Sequence, residues 1–178
     1  MNKKRSGLLG AGLLVMTGIA GAAGTSLQVD FTGALVDRLC VFEQEDTPLE
    51  VTFPVRAVKF FDAYTKTDTE KFVIGLKNCT VSTQGKLVDL TFNAVQTVTV
   101  GGITMLLPEG DTWLAIALVD GKGQNVEPGE AVELGSITSH GDGSINRFSL
   151  GAYVTAQPGV AIKPGAYRAT TTFTLSYR

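Results

Sequence analysis

The sequence is poor in residues that do chemistry. Among 178 residues there is one histidine, His140, and there are two cysteines, Cys40 and Cys79. A structural zinc site takes four ligands, which this set does not supply. Nucleophilic catalysis places a base beside a Ser or Cys. The sole candidate, His140, sits in the loop His140-Gly-Asp-Gly-Ser144, where a solvated role is the ordinary one. The Gly-rich pieces flank turns rather than a strand-to-helix junction, so no phosphate-cradling loop is present. The acids Glu43, Glu45 and Asp46 read as a solvated turn. With no catalytic constellation left, the expectation is a non-enzymatic protein without a cofactor. Runs of positive charge are lacking too. Acidic and basic residues are interspersed around a formal net charge of −2, which gives no electrostatic reason to expect nucleic acid as a partner. No long helical period, internal repeat, low-complexity tract or inter-domain linker is found.

What is present begins with an export signature. Lys3, Lys4 and Arg5 form a positive segment, Gly7 to Ile19 is uncharged and mostly apolar, and Ala20-Gly21-Ala22 supplies small residues. Residues 1–22 therefore read as a secretory signal, with the mature chain starting at Ala23. The rival is an uncleaved anchor, for which the stretch is short and Gly-rich. Removing the segment takes the net charge from −2 to −5. About 155 residues remain, enough for one domain with one core. In an oxidising compartment a Cys40–Cys79 disulfide is the default, two buried thiols being the alternative.

The mature chain reads as strand after strand. Leu27, Val29, Phe31, Gly33 and Leu35 alternate with polar residues and Ala34. Further strands are expected at Leu49–Phe53, ended by Pro54, and at Phe72–Leu76, Lys86–Val95, Val98–Leu107, Trp113–Val119 and Phe148–Val154. Gly101-Gly102, Asp120-Gly121, Pro128-Gly129, Pro158-Gly159 and Pro164-Gly165 punctuate them. At most one helical turn is expected near residues 56–66. The last segment, Tyr167 to Arg178, is the sharpest pattern. Tyr167, Ala169, Thr171, Phe173, Leu175 and Tyr177 share one face, and Arg168, Thr170, Thr172, Thr174, Ser176 and Arg178 share the other. The spacing predicts an all-β sandwich.

In this order, the alternating N-terminal arm, Phe31-Thr-Gly-Ala-Leu-Val-Asp-Arg-Leu-Cys40, Phe72-Val-Ile-Gly-Leu-Lys-Asn-Cys79, Gly165 and the penultimate Tyr177 resemble the chaperone–usher class of pilus subunits. Within that class the chain is most similar to the minor adaptor subunits that join rod to tip in P pili. The resemblance implies an immunoglobulin-like sandwich lacking its last strand, with residues 23–36 as a donor-strand extension and residues 37–178 as the pilin domain. It implies that Leu27, Val29, Phe31, Gly33 and Leu35 insert into a neighbour's groove. Gly165, Tyr167, Ala169, Thr171, Phe173, Leu175, Tyr177 and Arg178 would form this chain's acceptor groove and chaperone-binding strand. The carboxylate of Arg178 resembles the class's anchor for basic chaperone residues. The implied partners are a periplasmic pilus chaperone, an outer-membrane usher and neighbouring pilus subunits, with the fibre on the cell surface. A major rod subunit and an assembly-terminating subunit are the alternatives within the class. A tip adhesin would need a second domain, for which there is no room.

Overall fold

Among the described residues, most of the segments with a period of two become paired strands. A computed structural model of the chain describes residues 39–44 and 47–178. The signal segment and the arm residues Leu27, Val29, Phe31, Gly33 and Leu35 lie outside the described residues. The strands are β1 (Val41–Phe42), β2 (Glu70–Lys77), β3 (Leu87–Ala94), β4 (Thr97–Val100), β5 (Ile103–Leu106), β6 (Leu114–Val119), β7 (Asn125–Val126), β8 (Ala131–Ser136), β9 (Ile145–Ala156) and β10 (Thr171–Tyr177). One sheet runs β1-β2-β9-β6-β5-β4 with β7 beside β6, and the second runs β10-β3-β8. All pairings are antiparallel. The all-β sandwich is therefore as expected. Among the described residues helix is confined to one turn, α1 (Phe60–Ala63), and a 3-10 turn at Val81–Thr83.

The core lies between the sheets because each strand sends alternate side chains inward. From β3 these are Val88, Leu90 and Phe92, and from β9 Phe148, Leu150, Ala152 and Val154, all buried. The strand β6 reads as a continuous apolar run because both its faces are covered. Leu114, Ile116 and Leu118 join the main core, while Ala115, Ala117 and Val119 pack with Met105 and Tyr153 beneath Val98, Val100 and Ile103. The β4–β5 hairpin closes on Gly101 and Gly102, both at positive φ (60° and 85°). Such a two-residue turn suits the right-handed twist of a strand pair and favours glycine at both centres.

Cys40 and Cys79 are joined in a disulfide that fastens the start of β1 to the end of β2. Buried Asn146 organises the surroundings. Its Oδ1 accepts from the Thr138 and Ser139 amides at 2.9 and 3.0 Å, and its Nδ2 donates to the Ser139 carbonyl at 2.8 Å. Ser144 Oγ accepts from the Cys79 amide at 3.0 Å.

Beyond β1 the chain is latched to the edge of β2. The Glu43 amide donates to the Gly75 carbonyl at 2.8 Å, and the Gln44 side chain donates to the Val73 carbonyl at 2.9 Å. The Glu43 carboxylate pairs with the Arg147 guanidinium of β9. That contact holds the carboxyl below its usual 4.5 and raises the guanidinium. Gly75 makes room for this: a Cβ there would stand 2.7 Å from Glu43 Cβ and closer still to its carboxylate. Gly75→Ala is therefore expected to lower unfolding stability by about 1–3 kcal/mol. Adding Glu43→Ala should recover part of that loss in a double-mutant cycle read by denaturant titration.

Three strand expectations are corrected. Leu49–Phe53 is not a strand: its alternation leaves Val51 and Phe53 half-buried, but no described strand pairs with it. β8 was not foreseen. Its inward residues Val132 and Leu134 are few, Glu133 and Gly135 interrupt them, and a register shift opposes Val88/Asp89. β9 begins at Ile145 rather than Phe148, because its pairing with β2 extends to Lys77.

Candidate functional site

An antiparallel sandwich has strand edges, and each edge carries unpaired N–H and C=O groups unless something covers them. Of the four edges among the described strands, three are managed. β1 and the Glu43–Gln44 latch cover part of β2. β8 carries Glu133 and the register shift against β3. β4 is four residues long. The fourth edge is β10, seven residues with neither charge nor proline, Thr-Thr-Phe-Thr-Leu-Ser-Tyr. Its only described ladder partner is β3.

The register shows which groups face that open edge. Arg178 and Leu87 exchange both backbone bonds, Arg178 N–H to Leu87 O at 3.1 Å and Leu87 N–H to Arg178 O at 3.0 Å. Bonded and non-bonded pairs alternate along an antiparallel ladder. Ser176, Thr174 and Thr172 therefore bond to β3 opposite Asp89, Thr91 and Asn93. Tyr177, Leu175, Phe173 and Thr171 turn their backbone groups away from β3. The side chains of these same four residues point inward.

Their burial departs from that of an ordinary core strand. Phe173, Leu175 and Tyr177 stand opposite Phe92, Leu90 and Val88. The β3 members are 3%, 0% and 0% exposed. The β10 members are only half-buried, as are Tyr167, Ala169 and Thr171. The β3 row is fully covered, and the β10 row is only partly covered. Half-burial is still enough to raise the phenol pKa of Tyr167 and Tyr177.

A second wall faces this strand. Phe42 meets Phe173 edge-on with centroids 5.4 Å apart, and Phe53 tilts against Tyr167 at 6.3 Å. At Phe42 and again at Phe53 the chain thus lies beside β10, ordered in the opposite direction. From residue 48 to 56 the backbone makes no hydrogen bond with a described residue. Two stretches of backbone that lack a ladder partner among the described residues on their facing sides, both apolar toward the core, lie next to each other. Phe42 and Phe53 were not singled out from the sequence. The alternation Leu49, Val51, Phe53 is the available signal, and it is equally that of an ordinary strand.

Both ends of β10 are fixed. At its start, Glu109 and Arg168 form an isolated bridge, with Glu109 N–H to Arg168 O at 2.8 Å. Gly110, at φ 105°, admits the Ala166 carbonyl, which would lie 2.6 Å from a Cβ. At its end, Arg178 Nε donates to Asp89 at 2.6 Å and its Nη2 to Glu133 at 2.5 Å, tying β10 across β3 to β8. Of the residues expected here, Tyr167, Ala169, Thr171, Phe173, Leu175 and Tyr177 come together as one half-buried row facing the core. Arg178 lies at its foot with the side chain on the outer face. Gly165 falls in the exposed loop before β10. Asp89 and Glu133 were missed because nothing in the sequence places three strands side by side.

A family model described as "Fimbrial protein" matches residues 29–178. The chain belongs to the fimbrial protein family. This fimbrial subunit is 32% identical over 179 residues to the fimbrial adapter PapK of Escherichia coli, across 93% of this chain and 96% of that one. It is 33% identical to the E. coli protein PrsK over the same shares. In fold it matches the P pilus rod subunit PapA with a TM-score of 0.62 and 23% identity, covering 79% of this chain and all of that one. A chaperone–usher pilus structure matches at 0.64 and 24%, over 87% and 97%. The resemblance read from the sequence is borne out. The protein is a structural pilus subunit that associates with other such subunits, and fimbrial proteins are surface components exported through the periplasm.

Proposed function

We propose that the groove between β10 and residues 48–53 is an acceptor site for one extended strand, and that residues 23–36 are the donor that this subunit places in a neighbour. A periplasmic chaperone lends the first strand, and the arm of the next subunit replaces it at an outer-membrane usher. Chaperone–pilin donor-strand complementation is a known case of this binding mode, in which main-chain bonds supply affinity and alternate side chains supply specificity. The observation that carries the reading is the coincidence on Thr171, Phe173, Leu175 and Tyr177 of outward backbone groups with half-covered apolar side chains. An added strand satisfies both at once. Apolar burial at ~25 cal/mol per Å² makes the empty state costly. On the same reading, residues 1–22 are removed on export and residues 37–178 form the pilin domain. The identity to a fimbrial adapter supports a minor, adaptor position, and the chain acts as a structural element rather than an enzyme.

The donor half has its own test. Phe31→Asp is expected to leave the subunit's own groove able to take a strand while blocking its insertion into a neighbour. Pull-down of the neighbouring subunit together with an arm-peptide binding assay reads the two separately. Normal incorporation of the variant into fibres would refute the donor assignment.

A further inference from the structure

Trp113 has a backbone conformation that its side chain disfavours. Its φ is 58°, the left-handed region that glycine and asparagine occupy readily and bulky residues rarely. Asn78, at φ 50°, is the other described non-glycine residue there. The conformation at Trp113 is imposed from both sides. Thr112 and Leu114 are buried. The Trp113 carbonyl accepts from the Gln157 amide at 3.1 Å, and the Thr112 carbonyl accepts from the Lys163 amide at 3.3 Å. The turn thus explains the positive φ but not the tryptophan. The residue is 44% exposed. Among the described residues its ring stacks on no aromatic, lies under no cation, and its indole N–H has no acceptor. Strain of this kind gathers at functional positions.

Position names the partner. The segment 157–166 that braces Trp113 leads to Tyr167, and Gly110 and Thr112 lie against Ala166 and Gly165, so the backbone of Trp113 stands near the Tyr167 end of the groove. Three further exposed apolar side chains lie on segments that border that end. Val55, two residues beyond Phe53, is 98% exposed, and Val160 is exposed in the bracing loop. Val95 is exposed and lines a recess of about 110 Å³ with Ala169. The opposite end carries the ion pairs of Arg178 with Asp89 and Glu133. A subunit whose arm fills the groove must have its own body beyond one of these ends. Buried interface anchors are enriched in tryptophan, and a large apolar side chain left exposed in a strained turn has no role within its own core. We propose that Trp113 is a docking anchor for the body of the neighbouring fimbrial subunit, which seats against the Tyr167 end of the groove. This rests on the acceptor reading above.

The test separates the body from the arm. The full chain carrying Trp113→Asn, which keeps the left-handed turn, is compared with wild type for binding two probes. One is each intact fimbrial subunit encoded with this chain, and the other is a synthetic peptide of that subunit's N-terminal arm. The variant is expected to bind the peptide as wild type does and to lose about tenfold or more in affinity for the intact subunit. Trp113→Phe should restore part of the loss. Equal binding of the intact subunit by wild type and Trp113→Asn would overturn the proposal, and so would an equal loss for both probes. Failure of every arm peptide to bind wild type would instead defeat the acceptor reading beneath it.

Discussion

Replacing Cys40 and Cys79 together with serine is expected to lower the unfolding free energy by about 4 kcal/mol. The bridge spans a sequence separation of 39. Opening a loop of that length returns conformational freedom to the unfolded chain, and that gain sets the magnitude. Domains of this size are stable by roughly 5–15 kcal/mol, so the loss is a large share of the total. It also has a local consequence. The disulfide holds Cys40 beside the cluster of Leu76, Val88, Ile137 and Phe148, and from there Phe42 is delivered onto Phe173. Without it, Phe42 is held, among the described residues, by the short β1 pairing and the Glu43–Gln44 latch. Denaturant unfolding of the peptide-filled chain, oxidised wild type against the double variant, reads the loss. The reduced wild type should behave as the variant does.

Phe173→Asp is expected to weaken uptake of a donor strand by roughly 10²–10³-fold, the equivalent of several kcal/mol for burying an unpaired carboxylate. Phe173 lies between Phe42 and Phe92, 5.4 and 6.1 Å from their ring centres. With the groove empty, the position is half-buried and an aspartate there keeps part of its water. Once a strand covers it, that water is lost and no described cation stands by to replace it. Two controls isolate the cause. Phe173→Leu keeps the site apolar and should cost less than tenfold. Thr174→Asp places the same charge one residue on, where the side chain faces outward, and should cost little. Titration of arm peptide against each variant, with circular dichroism to confirm the sheet, gives the comparison.

Most of the fold was legible because period-two alternation survives wherever one face is buried. The ladders of β3 and β10 follow Leu87–Ala94 and Thr171–Tyr177 almost as the pattern drew them. The site was legible in part. The inward row from Tyr167 to Tyr177 is local in sequence, so its pattern named it. Its opposing wall was not, since the contacts of Phe42 with Phe173 and Phe53 with Tyr167 join residues more than a hundred positions apart. Leu49–Phe53 shows the same limit. Its sequence is that of a strand, but a strand needs a ladder partner, and none among the described residues supplies it. Trp113 carried no signal, because positive φ at a tryptophan runs against propensity and arises from the buried residues on either side.

The central claim concerns four backbone groups, and amide hydrogen exchange at Thr171, Phe173, Leu175 and Tyr177 tests it most directly. With the groove empty, these amides should exchange much faster than those of Thr172, Thr174 and Ser176, which bond to β3. Adding an arm peptide should slow the four to the rate of their neighbours. Slow exchange at all seven before any peptide is added, or no change at the four afterwards, would contradict it.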